Sequence, residues 1–399
     1  MYRKRKDAKG RLLKVGESQR KDSIYQYRYT DARGKRRTIY SSDLKELREK
    51  EAEIQRQLCD GYDYAAGDIP VHELVERYIS LRQGARYSTK SRNNYVLRMV
   101  KNEDFGYRRI RDVRMSDAQM WLIKLNEGGK GYSTLASVRS VLKLAFQMAC
   151  NEAVIRSNPF DFRLSDVIPD DSKSRDALTQ AQQDALMRFV QEDPVCKKHY
   201  DEFVVLLGTG LRVSEFCGLT KADLDFENRK ICVDHQLLRR TDGSYYIEKP
   251  KTERGRRFIP MSEDVFQSLK NILKNRPKLK TEVLVDGYSG FLLIGEKLRP
   301  KVSLNIQSAV RTARERYNKS HPDIPLPSIT PHVFRHTFCT NMANAGMDIS
   351  SLQYLMGHSN VNITLDVYTH SNFERAAEQM GRLFEFPGGS KKQQGRGPV

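Results

Sequence analysis

Four side chains in the C-terminal part of this 399-residue chain have the chemistry of a site that transfers a phosphate group. They are two histidines, one arginine and one tyrosine: His332, Arg335, His358 and Tyr368. A guanidinium can fork onto phosphate oxygens, an imidazole can move a proton, and a phenolic oxygen can attack phosphorus. The joint pattern H-x-x-R, then G-H, then Y therefore predicts one phosphate-transfer site.

Two predicted helices would present these side chains. Thr330 and Pro331 are a typical N-cap and first helical residue, and a spacing of three places the histidine and arginine that follow on one helical face. A second helix is predicted over Ile349–Met356, and Gly357 suits a left-handed C-cap. The second histidine would lie just past this helix end. The tyrosine, ten residues later, is expected to return to the same pocket.

A zinc site is the alternative for the first of these helices, because His332 and His336 are four residues apart. The residues between them include no glutamate of the metalloprotease kind, and they do include Arg335. A cation between two ligands repels a metal ion. The pattern therefore favours phosphate chemistry, with no metal and no cofactor predicted.

A second arginine lies upstream, in the motif GTGLRVSEFCGL. Arg212 follows the turn-forming residues Gly208 and Gly210 and begins a predicted helix whose apolar residues would face inward. Glu215, three residues on, is placed to accept a hydrogen bond from Arg212 or a neighbour. The motif therefore predicts an arginine with a fixed orientation.

Strand-like runs separate the two arginines. Lys230–His235, Tyr245–Glu248 and Arg257–Ile259 predict a small sheet, with Asp242-Gly243 as a hairpin signal between the first two runs. Lys251 lies beside the expected turn between the second and third runs. The pattern thus predicts a lysine on a hairpin.

Taken together, these motifs resemble the tyrosine recombinases, the phage integrase family. The resemblance covers about residues 175–385, and the segments SLQYLMGHS and TLDVYTH look like integrases of conjugative transposons or related prophages of Gram-positive bacteria. It implies a catalytic set of six residues: Arg212, Lys251, His332, Arg335, His358 and the nucleophile Tyr368. Glu215 would support them. The gap between the last two is one residue longer than in shorter recombinases without an arm module, which we interpret as a turn variation.

The resemblance implies a transesterification at a DNA phosphodiester without metal or ATP. The two arginines would bind the scissile phosphate while the tyrosine attacks phosphorus, with His332 as proton acceptor and His358 as hydrogen-bond donor to the phosphate. Lys251 would protonate the leaving 5′ oxygen. A 3′-phosphotyrosyl link and strand exchange through a Holliday junction would then integrate and excise a mobile element. The chain has no G-x-x-x-x-G-K-[ST] loop, which agrees with a reaction that needs no ATP.

The net charge of +19 and the pI of about 9.6 indicate a polyanionic partner, and double-stranded DNA is the first candidate. A membrane surface is the weaker alternative, because no predicted helix opposes a Lys/Arg face to an aromatic one. The longest apolar run, Phe203–Leu207, is too short to span a bilayer. The N-terminus has no secretory signal, and the six cysteines include no C-x-x-C pair. We therefore expect a reduced, cytoplasmic protein associated with a bacterial nucleoid.

The first module is predicted over residues 1–61 as a small β-sheet with a helix. Strands are expected at 24–30 and 35–41 and a helix at 44–58. Aromatic residues interleaved with cations on a sheet are typical of a surface that reads DNA, and four residues are the predicted contacts: Arg28, Lys35, Arg36 and Arg37. The alternative is a solvated basic sheet edge. The resemblance implies an arm-type DNA-binding module.

A linker precedes the second module, predicted as all-α over residues 70–168. Its helices are expected at 71–81, 90–100, 116–125 and 133–154. Basic residues on or between them include three predicted DNA contacts: Arg86, Lys90 and Arg92. An ordinary helical bundle with exposed cations is the alternative. The resemblance implies the core-binding (SAM-like) domain of the family.

The third module, residues 175–386, is predicted as a mixed α/β catalytic domain, mainly α with a small antiparallel sheet, and residues 387–399 as a disordered tail. The fold class is therefore multidomain. An apolar stripe within residues 373–384 would pack on its own domain or on a neighbour. The resemblance implies a homotetramer on DNA that acts on element ends, arm sites and target, with an excisionase and a host DNA-bending protein as partners.

Two other functions stay open. A DNA-binding protein without catalysis, such as a repressor, would share the charge, although all six catalytic positions are filled. A type IB topoisomerase would use the same phosphotyrosine step to relax supercoils. The arm-like N-terminal module favours a recombinase, because relaxation requires no second DNA site.

Overall fold

The computed structural model describes residues 5–31, 34–59, 66–171, 176–250, 255–358, 360–361 and 365. The chain divides into two compact units, Met1–Lys173 and Ser174–Val399. None of the helices in these described ranges is long and apolar enough to cross a membrane.

The first unit begins with a three-stranded antiparallel sheet of order β1-β2-β3, made of β1 (Glu17–Gln19), β2 (Tyr25–Thr30) and β3 (Arg36–Ser41). Helix α1 (Leu44–Cys59) follows, close to its predicted bounds. Strand β1 was not predicted, because three polar residues carry no hydrophobic alternation.

The tyrosines of β2 correct the interpretation of this sheet. Tyr25, Tyr27 and Tyr29 are 3%, 4% and 9% exposed and pack in a cluster that includes Leu44 and Leu47 of α1. The alternation of a strand sends successive side chains to opposite faces, and here the aromatic face is the buried one. These aromatics therefore form a core and are not a surface for reading DNA.

Four α-helices follow in the first unit: α2 (Val71–Ser80), α3 (Tyr87–Lys101), α4 (Met115–Glu127) and α5 (Tyr132–Asn151). The predicted apolar stripe of α5, from Leu135 to Ala149, is buried in one cluster with Trp121 of α4. Helix α3 begins three residues earlier than predicted.

The described part of the second unit has seven α-helices: α6 (Gln180–Glu192), α7 (Tyr200–Thr209), α8 (Val213–Gly218), α9 (Glu263–Lys274), α10 (Ser303–Ser320), α11 (Pro331–Asn344) and α12 (Ile349–Met356). Helices α6 to α11 contribute to a larger apolar core, whereas α12 packs against the second half of α11 in a smaller cluster. The predicted caps are present. The Thr330 side chain accepts a hydrogen bond from the Val333 amide, and Gly357 has left-handed φ and ψ of 61° and 43°. Local sequence therefore determines where α11 begins and α12 ends.

The strands of the second unit are β4 (Leu224–Asp225), β5 (Lys230–Val233), β6 (Gln236–Arg239), β7 (Tyr245–Glu248) and β8 (Arg257–Pro260). They form two sheets, β4-β5-β8 and β6-β7, so the prediction of one sheet was wrong. The hairpin at Asp242-Gly243 joins β7 to β6, which was not predicted as a separate strand.

A buried histidine explains this separation. His235, between β5 and β6, is 2% exposed, and its Nδ1 and Nε2 lie 2.6 Å from Asp234 Oδ1 and 2.8 Å from the Gly218 carbonyl. This anchor ends β5 and redirects the chain. Strands β7 and β8 belong to different sheets, and the predicted turn with Lys251, at residues 251–254, lies outside the described ranges. The predicted multidomain, mixed fold class is confirmed.

Candidate active site

Three consecutive carbonyls at the C-terminal end of α12 each accept a hydrogen bond from a different arginine. Arg257 Nε donates to residue 355 at 2.6 Å, Arg335 Nη2 to residue 356, and Arg212 Nη2 to residue 357 at 3.0 Å. The last carbonyls of a helix have no partner within the helix, and cations are favoured there by the helix dipole. Elements distant in sequence therefore converge at one point, directly before His358.

Arg212 is the N-terminal cap of α8 and is held by Glu215, the acceptor that the sequence predicts. Its backbone N–H donates to Glu215 Oε2 at 2.9 Å and its Nη1 to Oε1 at 2.8 Å. The Arg212 side chain is 40% exposed, whereas that of Glu215 is 7% exposed. A buried carboxylate thus orients a guanidinium that an anion can still reach.

Glu215 is shared with a second arginine. Arg257 Nη1 and Nη2 fork onto its two carboxylate oxygens at 3.1 and 2.8 Å. Burial raises the pKa of the Glu215 carboxyl, but Arg257, then Arg212 and Arg335, outweigh burial and lower this pKa to about 2. The carboxylate is therefore ionised at any physiological pH.

Arg335 projects from the first turns of α11 and is only 3% exposed. Its Nη1 donates to the Gly210 carbonyl at 2.6 Å. Gly210 has a left-handed φ of 62°, and a Cβ there would lie 2.3 Å from the Phe338 ring, so only glycine brings this carbonyl into place. Burial, then the Arg212 cation, lowers the pKa of Arg335 to about 9, which leaves the guanidinium charged at neutral pH.

His358 is half-buried beside these cations. Its backbone N–H donates to the Gln353 carbonyl at 3.2 Å, and Gln353 Nε2 donates to the His358 carbonyl at 3.0 Å. Burial, then Arg335, Arg212, Arg257 and finally His332 lower the pKa of His358 to about 4. The imidazole is therefore neutral at pH 7, with one N–H donor and one acceptor. His332 itself is exposed in the first turn of α11.

Comparison with known proteins decides the family. Residues 176–375 match the phage integrase family, and residues 1–58 match the DNA-binding domain of the Tn916 integrase. The chain belongs to the phage integrase family of tyrosine recombinases. It is a site-specific, DNA-binding recombinase.

The recombinase is similar to proteins of transposons. The transposase from transposon Tn1545 of Streptococcus pneumoniae is 43% identical over 396 residues, and that from Tn916 of Enterococcus faecalis is 42% identical over 396 residues. Each match covers 96% of this chain and 97% of the relative. A structure of the Tn1549 transposon integrase in complex with a circular intermediate DNA shares 43% identity, with a TM-score of 0.75, and covers 79% of this chain and 99% of that one.

The recombinase brings together four of its six predicted catalytic residues. Arg212 and Arg335 contact adjoining carbonyls, His358 follows them, and His332 is close enough to act on the pKa of His358. Lys251 and Tyr368 lie outside the described residues, as do the predicted apolar stripe near the C-terminus and the tail. Their roles stay predictions.

The predicted DNA contacts are mostly exposed cations. Arg28, Lys35 and Arg36 are exposed on β2, on the turn and on β3, and Arg37 Nε lies 3.2 Å from the buried Asp31 carboxylate. On α3, Lys90 and Arg92 are exposed, whereas Arg86 is a half-buried N-terminal cap. This exposure is compatible with phosphate contacts.

Arg257 was not among the predicted site residues. Strand alternation buries Arg257 and Ile259 on one face of β8 and leaves Phe258 47% exposed on the other. Hydropathy favours the opposite orientation, with the phenylalanine inside. The period-two pattern alone could have placed Arg257 beside Ile259, but only the tertiary contacts show why a cation belongs there.

Among the described residues, one group has metal-binding spacing: Asp223, Asp234 and His235. Both ring nitrogens of His235 already face oxygen acceptors, the Asp234 carboxylate and the Gly218 carbonyl. A metal ligand requires a ring nitrogen with a free lone pair. We therefore assign this group to the packing of α8 against β6.

Proposed function

We propose that this recombinase integrates and excises a mobile DNA element by cutting and rejoining four strands through a Holliday junction. The observation that carries the proposal is the convergence of Arg212, Arg335 and His358 at the end of α12. It is supported by the similarity to transposases of Tn916 and Tn1545 and to an integrase solved with circular intermediate DNA.

In the proposed first step, Arg212 and Arg335 donate hydrogen bonds to the non-bridging oxygens of the scissile phosphate. Both guanidiniums are charged and held in place before DNA binds, so they stabilise negative charge in the transition state with little reorganisation. The forked geometry is specific to arginine, and lysine would supply only a point charge. The exposed Arg212 would meet the phosphate first, since its side chain is 40% exposed.

The two histidines take different roles in this proposal. His358, neutral at pH 7, donates its single N–H to the phosphate, and His332 accepts the proton of the Tyr368 hydroxyl. The reference pKa of tyrosine is about 10, so attack at neutral pH requires this acceptor and the surrounding cations.

The step conserves the energy of the phosphodiester. Tyr368 oxygen forms a bond to phosphorus as the bond to the 5′ oxygen breaks, and Lys251 protonates that oxygen. The resulting 3′-phosphotyrosyl link is attacked by a 5′ hydroxyl of the partner duplex, which reverses the reaction on a new strand. Neither ATP nor a metal ion enters this balance.

The three predicted modules divide the DNA contacts. Residues 1–61 would bind arm sites, residues 70–168 would grip the core site, and residues 175–386 would cleave it. We propose a homotetramer on DNA as the active assembly, with an excisionase and a host DNA-bending protein setting the direction of the reaction.

A suicide substrate tests the chemistry. A nicked duplex from an element end is incubated in EDTA with wild-type protein and with Tyr368→Phe, and products are separated on a denaturing gel. We expect a covalent protein–DNA band that requires Tyr368 and persists in EDTA. If the protein binds this duplex but forms no such band, the catalytic proposal fails. A two-duplex assay then separates recombinant products from the simple relaxation of a topoisomerase.

A further inference from the structure

A buried arginine that the proposed mechanism does not use lies behind the candidate active site. Arg257 begins β8, pairs in register with Val233 of β5, and is 1% exposed. A guanidinium taken out of water is strongly destabilising unless charged or polar partners meet its donors. We therefore expect each donor of the Arg257 guanidinium to have an acceptor nearby.

Every nitrogen of this guanidinium has an acceptor. Nε donates to the Leu355 carbonyl at 2.6 Å, and Nη2 donates to Glu215 Oε2 at 2.8 Å. Nη1 donates to Glu215 Oε1 at 3.1 Å and to the Gly255 carbonyl at 3.3 Å. Arg257 thus forks onto a carboxylate with one edge and holds the end of α12 with the other.

These contacts close a ring with Arg212. Glu215 accepts from both arginines, and Arg212 Nη2 donates to the Gly357 carbonyl, two residues beyond the carbonyl that Arg257 holds. Because each member is held from two sides, the Glu215 carboxylate cannot rotate without breaking several hydrogen bonds. The orientation of the Arg212 guanidinium therefore depends on Arg257.

The backbone before His358 lies directly against Arg257. A Cβ on Gly357 would come within 3.0 Å of Arg257 Nη1 and 3.2 Å of its Cζ, and the residue has a φ of 61°. Phe258, next to Arg257, donates its backbone N–H to the Tyr354 hydroxyl of α12 at 3.0 Å. Strand β8 thus supports the helix end from which His358 emerges.

We propose that Arg257 is a positioning residue for strand cleavage, which orients Arg212 through Glu215 and holds the end of α12 so that His358 meets the phosphate. The inference rests on the proposed function. Arg257 itself does not touch DNA, because its side chain is buried and its donors are occupied within the protein.

The first test separates cleavage from binding. Single-turnover formation of the covalent adduct and the Kd for the same nicked duplex are measured for Arg257→Met, Arg257→Lys and the control Arg229→Met. The control removes an exposed arginine whose ion pair with Glu263 lies outside the site. We expect Arg257→Met to cleave roughly 100-fold more slowly, the effect of a small misplacement of catalytic groups. Arg257→Lys, which keeps the charge but loses the fork, should lose roughly 10-fold.

The Kd of each variant should stay within roughly 3-fold of wild type, because the ring affects contacts to a single phosphate and their exact geometry matters most in the transition state. A cleavage rate for folded Arg257→Met equal to that of wild type would overturn the proposal. So would a loss of affinity as large as the loss of rate. If circular dichroism shows that Arg257→Met is unfolded, the folded Arg257→Lys decides by the same two criteria.

A double-mutant cycle tests the route through Glu215. Arg257→Met and Glu215→Gln should reduce the cleavage rate by amounts that do not multiply in the double variant, because both break the same ring. Effects that multiply would mean that the two residues act independently, and the proposed coupling would be wrong.

A readout without DNA distinguishes this proposal from the proposed function. The His358 imidazole is titrated by NMR, with His358→Gln to assign its signal. Wild type should titrate near pH 4. Arg257→Lys, which keeps the charge but loses the fork, should titrate at a higher pH, because His358 would no longer be held in its half-buried place beside Arg335 and Arg212, whereas Arg229→Met should match wild type. An unchanged His358 titration in Arg257→Lys overturns the positioning role alone. Absence of any wild-type adduct overturns the proposed function alone.

Discussion

Replacement of Glu215 by glutamine should destabilise the second unit strongly at neutral pH. The glutamine side chain has nearly the same shape as the protonated acid, so it removes the charge and little else. Its amide would place a donor where Arg257 or Arg212 now donates. Arg257, which is 1% exposed, would then be a buried cation without a carboxylate.

The magnitude follows from the pKa of the Glu215 carboxyl, which falls from 4.5 to about 2 in the folded protein. Each pKa unit corresponds to about 1.4 kcal/mol, so the ionised carboxylate contributes about 3 kcal/mol to the free energy of unfolding. Breaking a buried ion pair by removing one partner typically costs about 3–5 kcal/mol, which agrees. Little screening is expected, since Glu215 is 6% exposed.

The effect has a defined pH dependence. Because the folded pKa is lower than the unfolded one, the stabilisation is complete above pH 4.5 and is lost as pH falls towards about 2. Within this window the difference between wild type and variant should shrink by about 1.4 kcal/mol per pH unit. We expect a difference of about 3 kcal/mol at pH 7 and about 2 kcal/mol at pH 3.5.

Native-state hydrogen exchange of peptides from α8 and β8 measures this quantity, since it reports opening free energies segment by segment in a protein with two compact units. Glu263→Gln is the matched control, because Glu263 pairs with Arg229 on the surface. It should leave exchange in α8 and β8 unchanged. A Glu215→Gln difference that is independent of pH between 7 and 3.5 would refute the reasoning, because packing rather than charge would then hold the ring.

Three further outcomes are expected. Gly357→Ala should slow cleavage and destabilise α12, because φ is 61° and the new Cβ would lie 3.0 Å from the Arg257 guanidinium. The control Gly346→Ala, with φ 87° and open space around the new Cβ, should cost only about 1–2 kcal/mol of backbone strain and leave cleavage intact. Equal cleavage rates in the two variants would contradict this. Glu51→Gln should slow hydrogen exchange of α1 at pH 7. Burial and then Glu17 raise the pKa of Glu51 above 4.5, so ionisation of this carboxyl destabilises the fold as pH rises above 4.5, and glutamine cannot ionise. Faster exchange in the variant would contradict this reasoning. Arg36→Ala should weaken the salt dependence of binding to an arm-site duplex, measured by fluorescence anisotropy. The slope of log affinity against log salt should become less steep by about 0.9, the value for one lost phosphate contact. An unchanged slope would mean that Arg36 does not contact the DNA.

Helix α12 was predicted with its observed bounds and α11 with its observed N-terminus, because a capping threonine, a proline at the first position and a C-terminal glycine act within a few residues of themselves. The apolar stripe of α5 was equally readable from its 3.6-residue period. The hydrogen bond between Arg212 and Glu215 spans three residues and was predicted for the same reason.

Pairing over long sequence separations was not readable in this way. Strand β5 pairs with β8, which begins 27 residues after β5 begins. The hairpin between them, β6-β7, belongs to another sheet, because His235 anchors the chain to α8. The strand period placed alternate residues of β2 on opposite faces but did not say that the tyrosine face is the buried one. Helix α1 decides that by packing against it.

The sequence by itself determined which groups are available: two arginines, two histidines, a lysine and a tyrosine in an order shared with tyrosine recombinases. The tertiary structure decided how the arginines and histidines among the described residues are held. Three arginines distant in sequence donate to three adjoining carbonyls, and one buried carboxylate joins two of them. Such a ring depends on distances of about 3 Å between elements as far apart as α8 and α12, and only the packing of the whole core sets those distances.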